Sequence, residues 1–472
     1  MPYGVTPQMM EAYSETIFDL SLNKQVRRGD PVRILDTDTW KTQRDDTGLT
    51  DPEIAERIGL AVPQVTFIRC ITERRLFRLN QYRKLYRLGG GLRYREDRYV
   101  DPEEPFNYSA DAALLRRSIR FGAGQVRKYI EAGWWTSDTF ADLLNRAAPE
   151  QPAYMDKSGT MTYGQLKNRT KDRAYALRVQ NVEKGEVIAA CLPTINDDFL
   201  VTYLAAASIG AVFQPLDPDL PGQDIALLIR HSRARLAIVG DTPKNPSLAE
   251  DLKRLESFSV LTEKELTKQP NDRKNISIHP PVAADPILLL SSIAGDGRPK
   301  VAPLTQQNLF SNVRLATENL GIASDASISI DQTDTVMLGL FGLHLALQAG
   351  TALSLAKESE IAISGSDGDG FTLSLPGGVE TEFWGTDEAQ VLLRNGQPLA
   401  GVETRIVSEE GELLAPGEHG FLEVRGPSVC VGYLDNFVAN KSTFTADAWF
   451  RTGCKAQLNK DFKIEFSAAA GK

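Results

Sequence analysis

The order of apolar and polar residues changes character along this chain, and each change predicts a different architecture. From about Leu115 onward, continuous apolar runs alternate with helical stretches. "EVIAACLP" (186–193) reads as a buried strand and "DDFLVTYLAAASIG" (197–210) as a helix with a small-residue face. "AVFQPLDPDLP" (211–221) is the next strand and its turn, and "IALLIRHS" followed by "RLAIVGD" repeats the unit. Apolar strands that alternate with helices are covered on both faces, which predicts mostly parallel layered sheets. Beyond Gly401 the period falls to two, in "VETRIVSEEGELL" and "HGFLEVRGPSVCVGYLDN". That alternation predicts a small antiparallel sheet or barrel-like subdomain. The expected class is therefore α/β with a β-rich subdomain, preceded by a helical arm. The boundaries read as 1–105 for the arm, 106–400 for the large domain and 401–472 for the subdomain.

The arm has clear local logic over Leu49–Arg75. Thr50 and Glu53 form a capping box with Pro52 in the first turn. Ile54, Ala55 and Ile58 then share a helical face, Gly59 falls where a tight turn needs a positive φ, and Pro63 opens a second helix facing inward through Val65, Ile68 and Ile71. The spacing over Asp51–Cys70 resembles the helix-turn-helix of bacterial DNA-binding proteins, whose second helix enters the major groove. That resemblance assigns Gln64, Thr66 and Arg69 to the nucleic-acid face. From Arg69 to Arg98 there are 10 Arg and Lys against 3 acids, a net of +7, and Arg74, Arg75 and Arg78 join the candidate phosphate contacts. A helical hairpin packed on its own protein, with solvated arginines, is the alternative reading.

Composition narrows the setting. The 472 residues carry a formal charge of −9, which excludes whole-surface nucleic-acid binding but not a local basic patch. The four cysteines form no CxxC pair, and "MPYGVTPQMM" lacks a secretory pattern, so a reducing cytoplasm is expected. Thr335–Ala356 has no Asp, Glu, Lys or Arg over 22 residues. Its His344, Gln348 and three glycines favour a buried strand–helix–strand unit over a membrane span.

The candidate chemistry centres on "SSIAGDGRPK" (291–300), an apolar strand running into a glycine loop that ends in lysine. With it, "GWWTSDTFADLLNRAAPEQPAYMD", "PLDPDLP", "GRPKVAPLTQQNL", "GQPLAGVETRIVSEEGELLAPGEHGFLEVRG", "GYLDN" and "WFRTG" occur in order. Together, over roughly 116–466, they resemble the AMP-binding superfamily of acyl- and aryl-acid adenylating enzymes, with "GWW" most like the aryl-acid and alicyclic-acid branch. The resemblance implies a phosphate loop at Ser292, Gly295, Gly297 and Lys300, a base platform at Trp384 and a magnesium-binding carboxylate at Glu388. If that site is retained, the cofactors are ATP or AMP with Mg, and a small-molecule carboxylate is the substrate.

The same resemblance exposes departures. Ile293, Ala294 and Asp296 stand where hydroxyls and a glycine are expected, and Asp296 would place a like charge about 4 Å from a phosphate, costing ~1 to 4 kcal/mol. Asp387 replaces a hydroxyl in "FWGTDEA", and Cys454 stands where an aspartate would accept from the ribose hydroxyls. His344 lies in the region resembling the family's acyl pocket and reads as a core histidine. The interval 351–383 is too short for the family's strand–helix repeats, so an internal deletion is expected there, and the chain ends where the family continues into a C-terminal lysine-bearing domain. These losses predict a non-catalytic relative acting as a regulator or protein-binding scaffold, with DNA as a candidate partner, a protein as another, and no membrane. A shortened ligase assisted by a partner chain is the competing reading, kept alive by Lys300 and Glu388.

Overall fold

The computed structural model describes residues 123–467 apart from 194, 242–243, 256–257, 269–280, 324–325, 331–335, 356–358, 366–369 and 446–447. Before them it describes 6, 8–9, 55–56, 58–61, 64–65, 68, 109, 111–112, 115 and 121. The chain divides into two units, Met1–Gly133 and Trp134–Lys472.

In the first unit, Gly59 adopts φ +66° and the Leu60 N–H donates to the Ala55 carbonyl at 3.0 Å, closing a helical turn. The Ala61 N–H then donates to Gln64 Oε1 at 3.0 Å, the side-chain half of a cap for the turn that follows. Ala55, Val65 and Ile68 are buried. Thr66, Arg69, Arg74, Arg75 and Arg78 lie outside the described residues.

The second unit holds three sheets. The first has six strands in the order Ser259–Thr262, Leu236–Val239, Val187–Cys191, Val212–Pro215, Pro286–Ile293 and Pro299–Thr305. All neighbours are parallel except the last two, which form an antiparallel hairpin. The expected strand–helix units are present: Val187–Cys191 is wholly buried, and the helix Asp197–Ser208 packs its alanines inward behind an Asn196 cap.

The second sheet has nine strands and changes sense midway. Pro152–Asp156, Ala352–Ser354, Ser327–Ile330 and Ile361–Gly365 pair in parallel. From Ile361–Gly365 the chain then runs as an antiparallel meander through Gly370–Leu375, Val379–Thr386, Gln390–Arg394 and Gln397–Pro398. Among the described residues of 351–383 there is no helix. Parallel neighbours joined through a helix need a long crossover, and beyond Ile361–Gly365 the chain turns back by hairpins instead. "Mostly parallel" therefore describes the first sheet and not the second. The apolar stretch near 335–356 is the 14-residue helix Val336–Ala349 followed by a strand, and no helix among the described residues is long and apolar enough to cross a membrane.

Past Gly401, Glu403–Val407, Gly420–Arg425, Phe450–Leu458 and Ile464–Phe466 make a four-stranded antiparallel sheet, as the period-2 pattern predicts. One apolar core runs through the unit from Phe140 to Ile464. Within it sits the helix Gln306–Ala316, buried along nearly its whole length and packed against the strand Gln390–Arg394.

Candidate functional site

That helix explains how a site is positioned. Thr305 and Asn308 cap its start reciprocally, with N–H to side-chain oxygen distances of 3.0 and 3.1 Å. Its buried amides then reach outward to other segments. Asn308 donates to the Pro427 carbonyl at 2.7 Å, as does the Trp135 indole N–H at 2.9 Å. Asn312 donates to the carbonyls of Ala389 and Val391 at 3.1 and 2.5 Å and accepts from the Val391 N–H at 3.2 Å. The turn bearing Glu388 is thus held from below. Gln390 closes that turn at φ +56°, and Gly385 is required opposite it, because a Cβ there would sit 1.5 Å from the Gln390 carbonyl oxygen.

The "GYLDN" segment joins this turn to the lysine strand. The Cys430 N–H donates to the Glu388 carbonyl at 2.7 Å, and Tyr433 Oη donates to Glu388 Oε1 at 2.6 Å. One residue on, the Leu434 N–H donates to Val301 O at 2.9 Å, and Asn436 donates to Pro299 O at 2.8 Å. Lys300 Nζ lies 5.7 Å from the Tyr433 ring centroid. Lys300, Tyr433 and Glu388 therefore form one chain of contacts. Burial and the adjacent Glu388 carboxylate push the Tyr433 phenol up, so it stays a proton donor.

The phosphate-loop candidate has a different shape from a cradle. Ser292 pairs with Lys300 and Ile293 with Pro299 across a hairpin. The Ala294 N–H donates to Arg298 O at 2.9 Å and the Gly297 N–H to Ala294 O at 2.8 Å, with Gly297 at φ +78°. This is a tight hairpin turn that uses its own donors. Asp296 completes it: its Oδ1 accepts from the Arg298 N–H at 3.1 Å, and its Oδ2 faces Arg298 Nε at 3.8 Å. Gly295, Asp296 and Gly297 are exposed at the tip.

Residues 143–364 match the family model described as AMP-binding enzyme. Over that stretch, a little under half of the chain, the sequence is similar to the AMP-binding enzyme family. Among the relatives, a probable non-canonical nonribosomal peptide synthetase, CymA, of Salinispora arenicola is 24% identical over 68% of this chain and 5% of its own length. Novobiocin biosynthesis protein H of Streptomyces niveus is 24% identical over 70% of this chain and 66% of its own. The chain thus spans less than two thirds of either relative. The ATP-bound structure of MatB from Rhodopseudomonas palustris superposes with a TM-score of 0.60 at 20% identity, covering 69% of this chain and 77% of that one. That likeness carries the fold.

Within the matched stretch and the sheets that follow it, the expected residues fall into separate groups. Lys300 and Glu388 come together through Tyr433, which sequence reasoning passed over although "GYLDN" contains it. Ser292, Gly295 and Gly297 lie in the closed hairpin. Trp384 sits on the strand Val379–Thr386 with its ring against Phe466, centroids 4.6 Å apart and planes tilted 37°, so one face of the expected base platform is covered by the chain itself. Cys454 is half-buried, its N–H donating to Thr452 Oγ1 at 3.1 Å and its Sγ 3.9 Å from the Thr452 carbonyl. His344 is a core residue: wholly buried, its Nε2 3.0 Å from Tyr203 Oη, its ring beside Phe140. Burial lowers its pKa to about 3.

Several of the groups expected to meet a nucleoside triphosphate with magnesium are engaged within the chain. Three of the five N–H groups of 294–298 are spent inside the hairpin, and the one retained carboxylate, Glu388, already accepts a proton-bearing partner. No group of three or more His, Cys, Asp or Glu suited to a metal occurs among the described residues.

Proposed function

We propose that this chain uses the fold of acyl- and aryl-acid adenylating ligases without their chemistry, as a regulator or protein-binding scaffold. The observation that carries this reading is the self-closed hairpin at 294–298. Transition-state stabilisation in phosphoryl or adenylyl transfer depends on donors aimed at phosphate oxygens, and here those donors face inward. Calorimetric titration of ATP with magnesium into the full-length chain tests it. Absence of heat at millimolar ATP is expected; micromolar binding abolished by Lys300→Ala would overturn it.

A shortened ligase that retains partial activity with a partner chain is the second reading, favoured by the Lys300–Tyr433–Glu388 chain of contacts. Hydroxamate trapping of an acyl- or aryl-adenylate would bring it forward. Under either reading the arm is proposed to contact DNA, supported by the glycine turn at Gly59, the inward Ala55, Val65 and Ile68, and the net +7 of 69–98. Affinity should fall steeply with salt, and Arg74→Ala with Arg78→Ala should flatten that slope. Salt-independent binding, or none to any duplex, would remove the DNA contact.

A further inference from the structure

The outer face of the antiparallel meander carries a cavity that the reading above does not use. It has a volume of about 290 Å³ and lies where the strands Gly370–Leu375 and Val379–Thr386 meet the edge of the C-terminal sheet at Phe466. Alternation along a strand puts Glu380, Glu382 and Trp384 on one face. Across the ladder, Glu382 is paired with Thr372 and Trp384 with Gly370. A glycine opposite the indole leaves space beside it, and Gly396 leaves space at the far wall. Trp384 and Phe466 form the aromatic side of the cavity, and Phe466 is still 38% exposed.

The charge of this cavity is one-sided. Among the described residues the Glu382 carboxylate makes no hydrogen bond or ion pair, although its backbone N–H is held by Asn395 Oδ1 at 2.8 Å. No lysine or arginine lines the cavity, and Glu380 extends the acidic edge. An anionic ligand such as a phosphate or carboxylate is repelled here. A compact organic cation gains twice, from the ring faces and from the unpartnered carboxylate.

We propose that Trp384, Phe466 and Glu382 form a binding site for an alkylated ammonium group. The rings supply cation–π attraction and exclude water from the methyl groups, while Glu382 supplies the countercharge at the rim. The site uses neither Lys300 nor Glu388, and it shares with the expected nucleotide site only Trp384.

Titration of the full-length chain with choline, followed by calorimetry, tests the assignment. The control is choline's uncharged carbon isostere, in which a tert-butyl group replaces the trimethylammonium. Saturable choline binding, at least about tenfold tighter than the isostere, is expected. Glu382→Gln, at an exposed position, should weaken choline several-fold while leaving part of its margin over the isostere, and Trp384→Leu should weaken choline by a similar factor. Equal affinities for choline and isostere on the unaltered protein, no saturation at tens of millimolar choline, or no effect of Glu382→Gln would each overturn the proposal.

Discussion

Acidification should expose the burial of His344 in a way that a single substitution isolates. The imidazole is 0% exposed, hydrogen-bonded through Nε2 to Tyr203 and flanked by Phe140, with its pKa lowered to about 3 by desolvation. In the unfolded chain it titrates near an ordinary 6.5. Between those two values the unfolded state holds a proton that the folded state lacks. Stability therefore rises with pH across this window and is lost as pH falls through it. At about 1.4 kcal/mol per pH unit, lowering pH from 7 to 4.5 should remove roughly 2.5 kcal/mol attributable to this one residue.

Many carboxylates titrate in the same range, so the absolute curve is uninformative and the difference between two proteins is what counts. His344→Gln keeps a polar partner for the Tyr203 hydroxyl and removes the titrating group. Urea denaturation of both proteins at a series of pH values gives the two stabilities. The variant should be less stable at neutral pH, and the gap should close by roughly 2.5 kcal/mol by pH 4.5. Two profiles that run parallel would refute the argument, because they would mean that His344 takes up its proton in the folded state as easily as in the unfolded one.

Three further perturbations probe the site's support. Asn312→Ala removes three hydrogen bonds to buried backbone under the Glu388 turn and should cost about 2–4 kcal/mol by chemical denaturation; a loss near zero would show that the turn is held from elsewhere. Gly385→Ala drives a Cβ into the Gln390 carbonyl, so it should lower expression of soluble protein or cost more than about 3 kcal/mol, and a silent variant would mean the bulge opens freely. Lys184→Met breaks the buried 3.0 Å pair with Asp285 and should destabilise by roughly 3–5 kcal/mol; a change under 1 kcal/mol would place the pair in contact with water.

What the sequence made legible was whatever depends on period and sequence-local chemistry. The wholly apolar run at Val187–Cys191, the alanine-rich helix Asp197–Ser208 and the alternation of Glu403–Val407 follow from burial alone, and they fold as their patterns require. The meander at 361–394 was not legible in the same way. Its shortness was visible, but short strands between hairpins bury either face, and only their pairing partners decide which. The loop at 291–300 shows the limit most sharply. From sequence, Asp296 was a charge set against a phosphate, one of three departures, with Ile293 and Ala294, from the expected cradle. In the fold, Asp296 is a turn-forming acceptor for the Arg298 N–H, and Ala294 and Gly297 close the hairpin with their own backbone. Asp296, one of the positions that read as a lost hydroxyl, is therefore a side chain that helps to build the turn. Restoring hydroxyls at Ile293 and Asp296 alone would leave the N–H groups of Ala294 and Gly297 still donating inward, and the loop would remain a hairpin before it became a phosphate site.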